Sequence, residues 1–290
     1  GVLMATGVKT PEEHRCFGGI QGFYEHASDA VGLPMRFGVF VPPQARQGRR
    51  PVLFCLAGLT CNEQTFAIKA GAQQHAAEHG LVLVTPDTSP RNTGIAQADA
   101  DWDFGTAAGF YLDAVRPPFS RHWRMETWIV EELPRVLGQH FPVRAGASAI
   151  LGHSMGGHGA LTLALRHPGR YASVSAFAPI CAPTQVPWGQ KAFQGYLGED
   201  VALWKAHDAV QLIDSGARMP AILVDQGLQD QFLSTQLQPH RLREACARSG
   251  QPLTLREHEG YDHGYFFIAS FIADHLRHHA QGLAGLREDS

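Results

Sequence analysis

The sequence predicts an α/β fold with a mostly parallel central sheet, and three observations carry that expectation. Short apolar runs recur along the chain: VLFCLAG at 52–58, LVLVTPD at 81–87, SAILGHS at 148–154 and AILVDQG at 221–227. Each is Leu- or β-branched-rich and closed by Gly, Asp or Pro, which suits strands buried on both faces of a sheet. Helix-like stretches at 62–79, 157–166 and 235–248 lie between them, and such alternation builds a sheet flanked by helices. Finally, the 290 residues, 44% hydrophobic and 18% charged, can bury one large core, so residues 1–290 are expected to form a single domain.

The elements follow in order. The first part of the chain is β-rich: Met35, Phe37, Val39 and Val41 alternate with other residues, the pattern of a half-buried strand. Pro42 and Pro43 end it, and QARQGRR turns the chain into the first buried run. The stretch 183–197 is rich in Trp, Gly and Pro, breaks the rhythm, and reads as an insertion or long loop of the kind that carries function. Residues 253–256 form the expected last strand, 260–264 a turn, and YFFIASFIADHL the last helix.

Composition narrows the class. The net charge of −3 with no clustered basic excess argues against a nucleic-acid partner. Five widely spaced cysteines, Cys16, Cys55, Cys61, Cys181 and Cys246, form neither a disulfide framework nor a C-x-x-C motif, so a reducing, cytoplasmic setting is expected. The opening GVLMATGVKTPEEHR lacks the basic and apolar regions of a secretory signal, and Gly1 to Leu3 read as a processing or cloning remnant. No apolar run is long enough to span a bilayer.

The chemistry concentrates at Gly152-His153-Ser154-Met155-Gly156. This G-x-S-x-G sits between an apolar run and a small-residue helix start, the setting of a nucleophile elbow in an α/β-hydrolase fold. Without that setting it would be an ordinary glycine-rich turn holding a structural serine. A serine hydroxyl needs a base, and in this fold the order along the chain is Ser, acid, His. After the 221–224 run come Asp225, at the strand end, and Asp230, in the loop beyond; Asp230 is the better placed acid and Asp225 the alternative. Among 16 histidines, His263 occupies the turn between last strand and last helix, with His258 as fallback. His275 and His279 would share one helix face and could hold a metal, but no third ligand is apparent; a solvated helix face is the plainer reading, and no metal site is expected. The oxyanion of acyl transfer needs two backbone N–H donors. Met155, after the nucleophile, supplies one, and Leu59 in Ala57-Gly58-Leu59-Thr60-Cys61 is placed to supply the other.

GHSMGGHGAL at 152–161 resembles the S-formylglutathione hydrolases, also called esterase D. So do CFGGIQ (16–21), LAGLTC (56–61), PDTSPR (86–91), WDFGTAAGFYLDA (102–114), SAFAPI (175–180), PWGQKAFQGYLG (187–198), DQGLQDQFL (225–233) and EGYDHGYFFI (259–268). These segments span nearly the whole chain in order. The resemblance implies a cytoplasmic, cofactor-free, usually dimeric thioesterase that releases formate and glutathione in formaldehyde detoxification. It assigns Ser154, Asp230 and His263 as the triad and Leu59 and Met155 as oxyanion donors. Two features depart from the family pattern: Gly264 stands where a polar residue usually follows the catalytic histidine, and 92–101 differs. Trp188, Lys191 and Phe193 are candidates for the glutathione side, Lys191 as partner to a carboxylate or as a solvated loop lysine. Cys61 is either a reactive thiol or a small buried residue. The same triad would serve a short-chain carboxylesterase or an acyltransferase, while a non-catalytic binding protein would be expected to lack a triad member.

Overall fold

The computed structural model describes residues 8–286; the expectations for Gly1 to Leu3 fall outside them. Its centre is a nine-stranded sheet in the order β1-β2-β3-β5-β4-β6-β7-β8-β9. The strands are β1 (Val8–Cys16), β2 (Gly19–Ala27), β3 (Pro34–Val41), β4 (Arg50–Leu56), β5 (Val82–Pro86), β6 (Val143–His153), β7 (Val174–Phe177), β8 (Ile222–Gly227) and β9 (Leu253–His258). β1, β2 and β3 pair antiparallel, and β3 joins β5 antiparallel. From β5 through β4, β6, β7 and β8 to β9 every pairing is parallel. β4, β5, β7 and β8 are buried almost throughout, as their unbroken apolar runs require.

The helices are α1 (Thr65–Lys69), α2 (Gln73–His79), α3 (Met125–Thr127), α4 (Leu133–His140), α5 (Met155–Arg166), α6 (Pro187–Leu197), α7 (Val201–Lys205), α8 (Ala209–Asp214), α9 (Pro239–Ser249) and α10 (Tyr265–Ala284). α5 packs on β4, β6 and β7 and also meets α8, which packs on α9; α10 packs with α2 and lies against β6, β7 and β8. This is the α/β-hydrolase fold.

Three expectations are corrected. The stretch 62–79 is two short helices, broken where Gly71 takes φ 72°. Residues 183–197 are not an open loop: a short 3-10 turn leads into the 11-residue α6, started by Pro187 at a position where a missing N–H costs nothing. The 235–248 stretch begins as a π-turn at Leu233–Leu237, and α9 starts only at Pro239, after Gln238 in a left-handed conformation. No helix among the described residues is long and apolar enough to cross a membrane.

Candidate active site

The carboxyl ends of β4, β6, β8 and β9 all open at one edge of the sheet, where open α/β sheets bind ligands. β6 leads straight into Ser154, whose φ 59° and ψ −115° turn the chain sharply into α5. That turn explains two glycines of the motif. A Cβ on Gly152 would lie 1.9 Å from the Gly156 carbonyl oxygen, and one on Gly156 would lie 2.0 Å from the Leu56 carbonyl oxygen. Only hydrogen at both positions lets the elbow close against β4. Ser154 is thereby the N-cap of a 12-residue helix, whose positive end favours negative charge.

The acid and base expected from the sequence meet. His263 Nδ1 lies 2.6 Å from Asp230 Oδ2. An ionised carboxylate only accepts, so Nδ1 carries the proton and Nε2 is left with a lone pair. Asp230 also accepts the Phe232 N–H at 2.8 Å and the Gln226 amide at 3.1 Å. Burial works to raise the Asp230 carboxyl, but the hydrogen bond and charge of His263, with those two donors, outweigh it and hold the group below its usual range. His153 Nε2 donates to the His263 carbonyl at 2.8 Å, and the two rings lie 4.7 Å apart. His263 is thus bonded to the residue that immediately precedes Ser154.

The alternatives Asp225 and His258 pair with each other, at 2.8 Å. Asp225 also accepts two hydrogen bonds from Arg256, both 2.7 Å, and one from His275 at 2.7 Å. Burial opposes ionisation of Asp225, yet its bonds to His275, Arg256 and His258 prevail and hold it well below the usual carboxylate range. From His275 the chain of contacts runs to Ser175 (2.8 Å), His279 (2.7 Å) and Ser173 (2.7 Å). Asp225, His275 and Ser175 have the lengths of a catalytic triad, but all three are 0% exposed; no substrate reaches them. The expectation that His275 and His279 line a solvated face is therefore corrected: both are fully buried and bonded into the core. Among the described residues no three His, Cys, Asp or Glu side chains are grouped to hold a metal ion.

The loop after β4 passes beside the nucleophile. A Cβ built on Gly58 would lie 3.3 Å from Ser154 Cβ and from the His153 carbonyl oxygen. Thr60 N–H bonds to the Ala107 carbonyl and Cys61 N–H to that of Gly58, whereas among the described residues neither the Leu59 nor the Met155 amide donates to another protein group. Leu59 lies in this loop beside Ser154, and Met155 lies in the first turn of α5, whose amides lack partners within the helix.

Residues 28–278 match the family described as "Putative esterase". An S-formylglutathione hydrolase of Mus musculus is 52% identical over 279 residues, covering 95% of this chain and 99% of the relative. One from Paracoccus denitrificans is 50% identical, covering 97% and 100%. A solved S-formylglutathione hydrolase from Agrobacterium tumefaciens superposes with a TM-score of 0.92 at 44% identity, over 94% of this chain and 99% of that one. The chain belongs to the S-formylglutathione hydrolase family.

With the family in hand, the remaining candidates sort by position. Trp188 packs on Phe232 (4.6 Å), and Phe232 meets the His263 ring edge-on at 5.1 Å. Trp102, 57% exposed, meets Trp188 edge-on at 5.9 Å. A row of three aromatic rings therefore runs from His263 to the surface, beside a recess of about 350 Å³ that includes Thr60 and Trp102. Trp102 and Phe232 escaped the reading of single residues; only the family-like segments that contain them hinted at a role. Phe193 is corrected: it is wholly buried against Phe110, His158 and Trp204 and does not face the site. Lys191 is solvent-exposed, as expected of a solvated lysine, but on α6 rather than on a loop, and its charge is already paired, bridging Asp103 at 2.6 Å and Asp101 at 3.1 Å. Burial pushes the Cys61 thiol up, against hydrogen bonds from Thr65, the Gly58 backbone and Tyr265, which works against thiolate character. A Cβ on Gly264 would meet only Asp262 Oδ1, at an ordinary 3.4 Å, so packing does not demand that departure from the family pattern. In 92–101, the other departure, Asp101 is a partner of Lys191.

Proposed function

We propose that this chain hydrolyses S-formylglutathione to formate and glutathione. The observation that carries the reading is identity of 50% or more with S-formylglutathione hydrolases over at least 95% of the chain. Ser154 Oγ attacks the formyl carbon while His263 Nε2 takes its proton; Asp230 fixes the tautomer and stabilises the imidazolium. The Leu59 and Met155 amides hold the oxyanion. The tetrahedral intermediate collapses, the C–S bond breaks, and His263 returns the proton to the departing glutathione sulfur. Water then attacks the formyl-serine, gives its proton to His263, and formate leaves as Ser154 is reprotonated. The hydrogen-only acyl group needs little room, so activity should fall as the acyl chain lengthens. The aromatic row from His263 to Trp102 offers the larger thiol portion a surface.

The protein is further read as cytoplasmic, supported by five cysteines that are free thiols, and as a homodimer, a state that light scattering tests directly. The functional test is hydrolysis of S-formylglutathione beside 4-nitrophenyl acetate by wild type and Ser154→Ala. Strong preference for the thioester, lost with Ser154→Ala, is the expected result. Cleavage of the simple ester alone would leave a carboxylesterase and refute the substrate. Full activity in Ser154→Ala would refute the mechanism.

A further inference from the structure

Residues 105–111 run between the loop that follows β4 and the helix behind the nucleophile, with an unusual backbone. Ala107, Phe110 and Tyr111 take φ of 60°, 52° and 54°. None is glycine, and two are aromatic. L residues avoid this region, and such conformations persist only where the surroundings hold them.

What the segment holds is specific. Tyr111 Oη donates to the Ala57 carbonyl at 2.7 Å. The Ala107 carbonyl accepts the Thr60 N–H at 3.1 Å. These two contacts bracket Leu59. On the other side, the Phe110 carbonyl accepts His158 Nε2 at 2.9 Å, three residues along α5 from Met155. The segment is itself anchored, with Ala107 N–H on Ser89 Oγ at 2.7 Å and Gly109 N–H on the Thr88 carbonyl at 3.1 Å. The Tyr111 ring is 1% exposed and presses on α5 at Gly159, where a Cβ would lie 2.5 Å from Tyr111 Cδ2. A glycine inside a helix is unfavourable by propensity; here it makes room for the ring.

We propose that 105–111 is a brace that fixes the spacing and aim of the two oxyanion donors, and that Tyr111 is a positioning residue for the transition state. The physical reason is that oxyanion donors act through orientation set before the reaction begins. A loop held on one side and a helix on the other would otherwise relax independently. The proposal takes the donors Leu59 and Met155 from the reading above but does not depend on the thiol portion of the substrate.

Tyr111→Phe keeps the ring and removes the hydroxyl. Active sites are counted with diethyl 4-nitrophenyl phosphate, and turnover is measured with both S-formylglutathione and 4-nitrophenyl acetate. We expect kcat per titrated site to fall about tenfold on each substrate with KM within about twofold. Affinity for benzeneboronic acid, whose serine adduct mimics the tetrahedral state, should weaken by the same factor. Gly159→Ala, which displaces the ring, should give the same loss, and the double variant should be no worse than either single one. An unchanged kcat per site with unchanged boronate affinity, even alongside a lower Tm, overturns the brace. Should Gly159→Ala fail to fold, Tyr111→Phe decides alone. A wild type that cleaves only 4-nitrophenyl acetate refutes the thioester substrate, while the brace is still judged on the ester.

Discussion

Asp230→Asn is the sharpest perturbation available, because three neighbours fix what the new amide must do. In the native protein Oδ1 accepts the Phe232 N–H at 2.8 Å, while Oδ2 accepts from His263 Nδ1 at 2.6 Å and Gln226 Nε2 at 3.1 Å. If the amide oxygen stays on Phe232, the NH2 group faces the Gln226 NH2, donor against donor. It also drives His263 to accept at Nδ1, which moves the ring proton to Nε2 and removes the lone pair that should take the serine proton. If the amide flips, its NH2 meets the Phe232 N–H instead. Either orientation loses the negative charge that stabilises the imidazolium. We expect kcat to fall about 10⁴-fold, or about 5.5 kcal/mol of activation free energy, with a Tm change of only a few degrees. Asp225→Asn provides the contrast. It leaves Arg256, His258 and His275 around a neutral group, and breaking such a buried pair costs about 3–5 kcal/mol of stability. For a chain of this length that is a fall in Tm of about 5–8 °C, with kcat per active site within about tenfold. The assay is steady-state hydrolysis normalised to titrated sites, with thermal unfolding alongside. The reasoning is refuted if Asp230→Asn keeps a tenth of the native kcat while folded Asp225→Asn loses 10⁴.

Other outcomes follow from the same geometry. Ser154→Gly should lower kcat about a millionfold yet stabilise the fold by about 1 kcal/mol, because glycine accepts φ 59°, ψ −115° without the strain carried by serine; a drop in chemical stability would count against a strained elbow. Phe193→Ala should cost about 3–5 kcal/mol in urea unfolding and leave KM unchanged, as befits a core residue. Lys191→Met should cost less than about 1 kcal/mol, since its ion pairs are exposed, and raise KM less than about threefold; a tenfold rise would restore Lys191 as a substrate contact. Burial lowers His153 to about 3, His158 to about 4 and His207 to about 3. Below pH 6.5 the unfolded chain binds protons that the native state refuses, so stability is full above that value and is lost as pH falls toward the native values. Each histidine contributes a loss of about 2 kcal/mol between pH 6.5 and 5. Urea midpoints that match at pH 7.5 and 5.0 would contradict their neutral burial.

Much of the candidate site's local geometry, the sharp turn at Ser154 and the bond between Asp230 and His263, could be anticipated from the chain because its constraints are local. The G-x-S-x-G elbow, the loop after β4 and the order Ser, Asp, His each depend on a few consecutive residues at a strand end. Asp230 and His263, 33 positions apart, could be named because parallel strands bring successive carboxyl ends to one edge. Where the reading failed, long-range packing had decided the matter. A helical spacing of four put His275 and His279 on one face, but periodicity does not say whether that face meets water or Ser173, Ser175 and Asp225. The Trp, Gly and Pro of 183–197 read as loop, yet Pro187 at the first turn starts a helix whose Phe193 fills the core.

The choice between the two aspartates shows where the boundary lies. The sequence by itself determined that an acid would follow β8 and a base would follow β9, because strand order and periodicity are written in neighbouring residues. It could not say that the buried Asp225 carboxylate would draw in Arg256, His258 and His275 while Asp230 bonded His263. Nor could it show three non-glycine residues of 105–111 held at positive φ against the loop after β4. Those outcomes rest on hydrogen bonds between groups 31 to 54 residues apart, whose lengths and directions exist only once the sheet and its helices have packed.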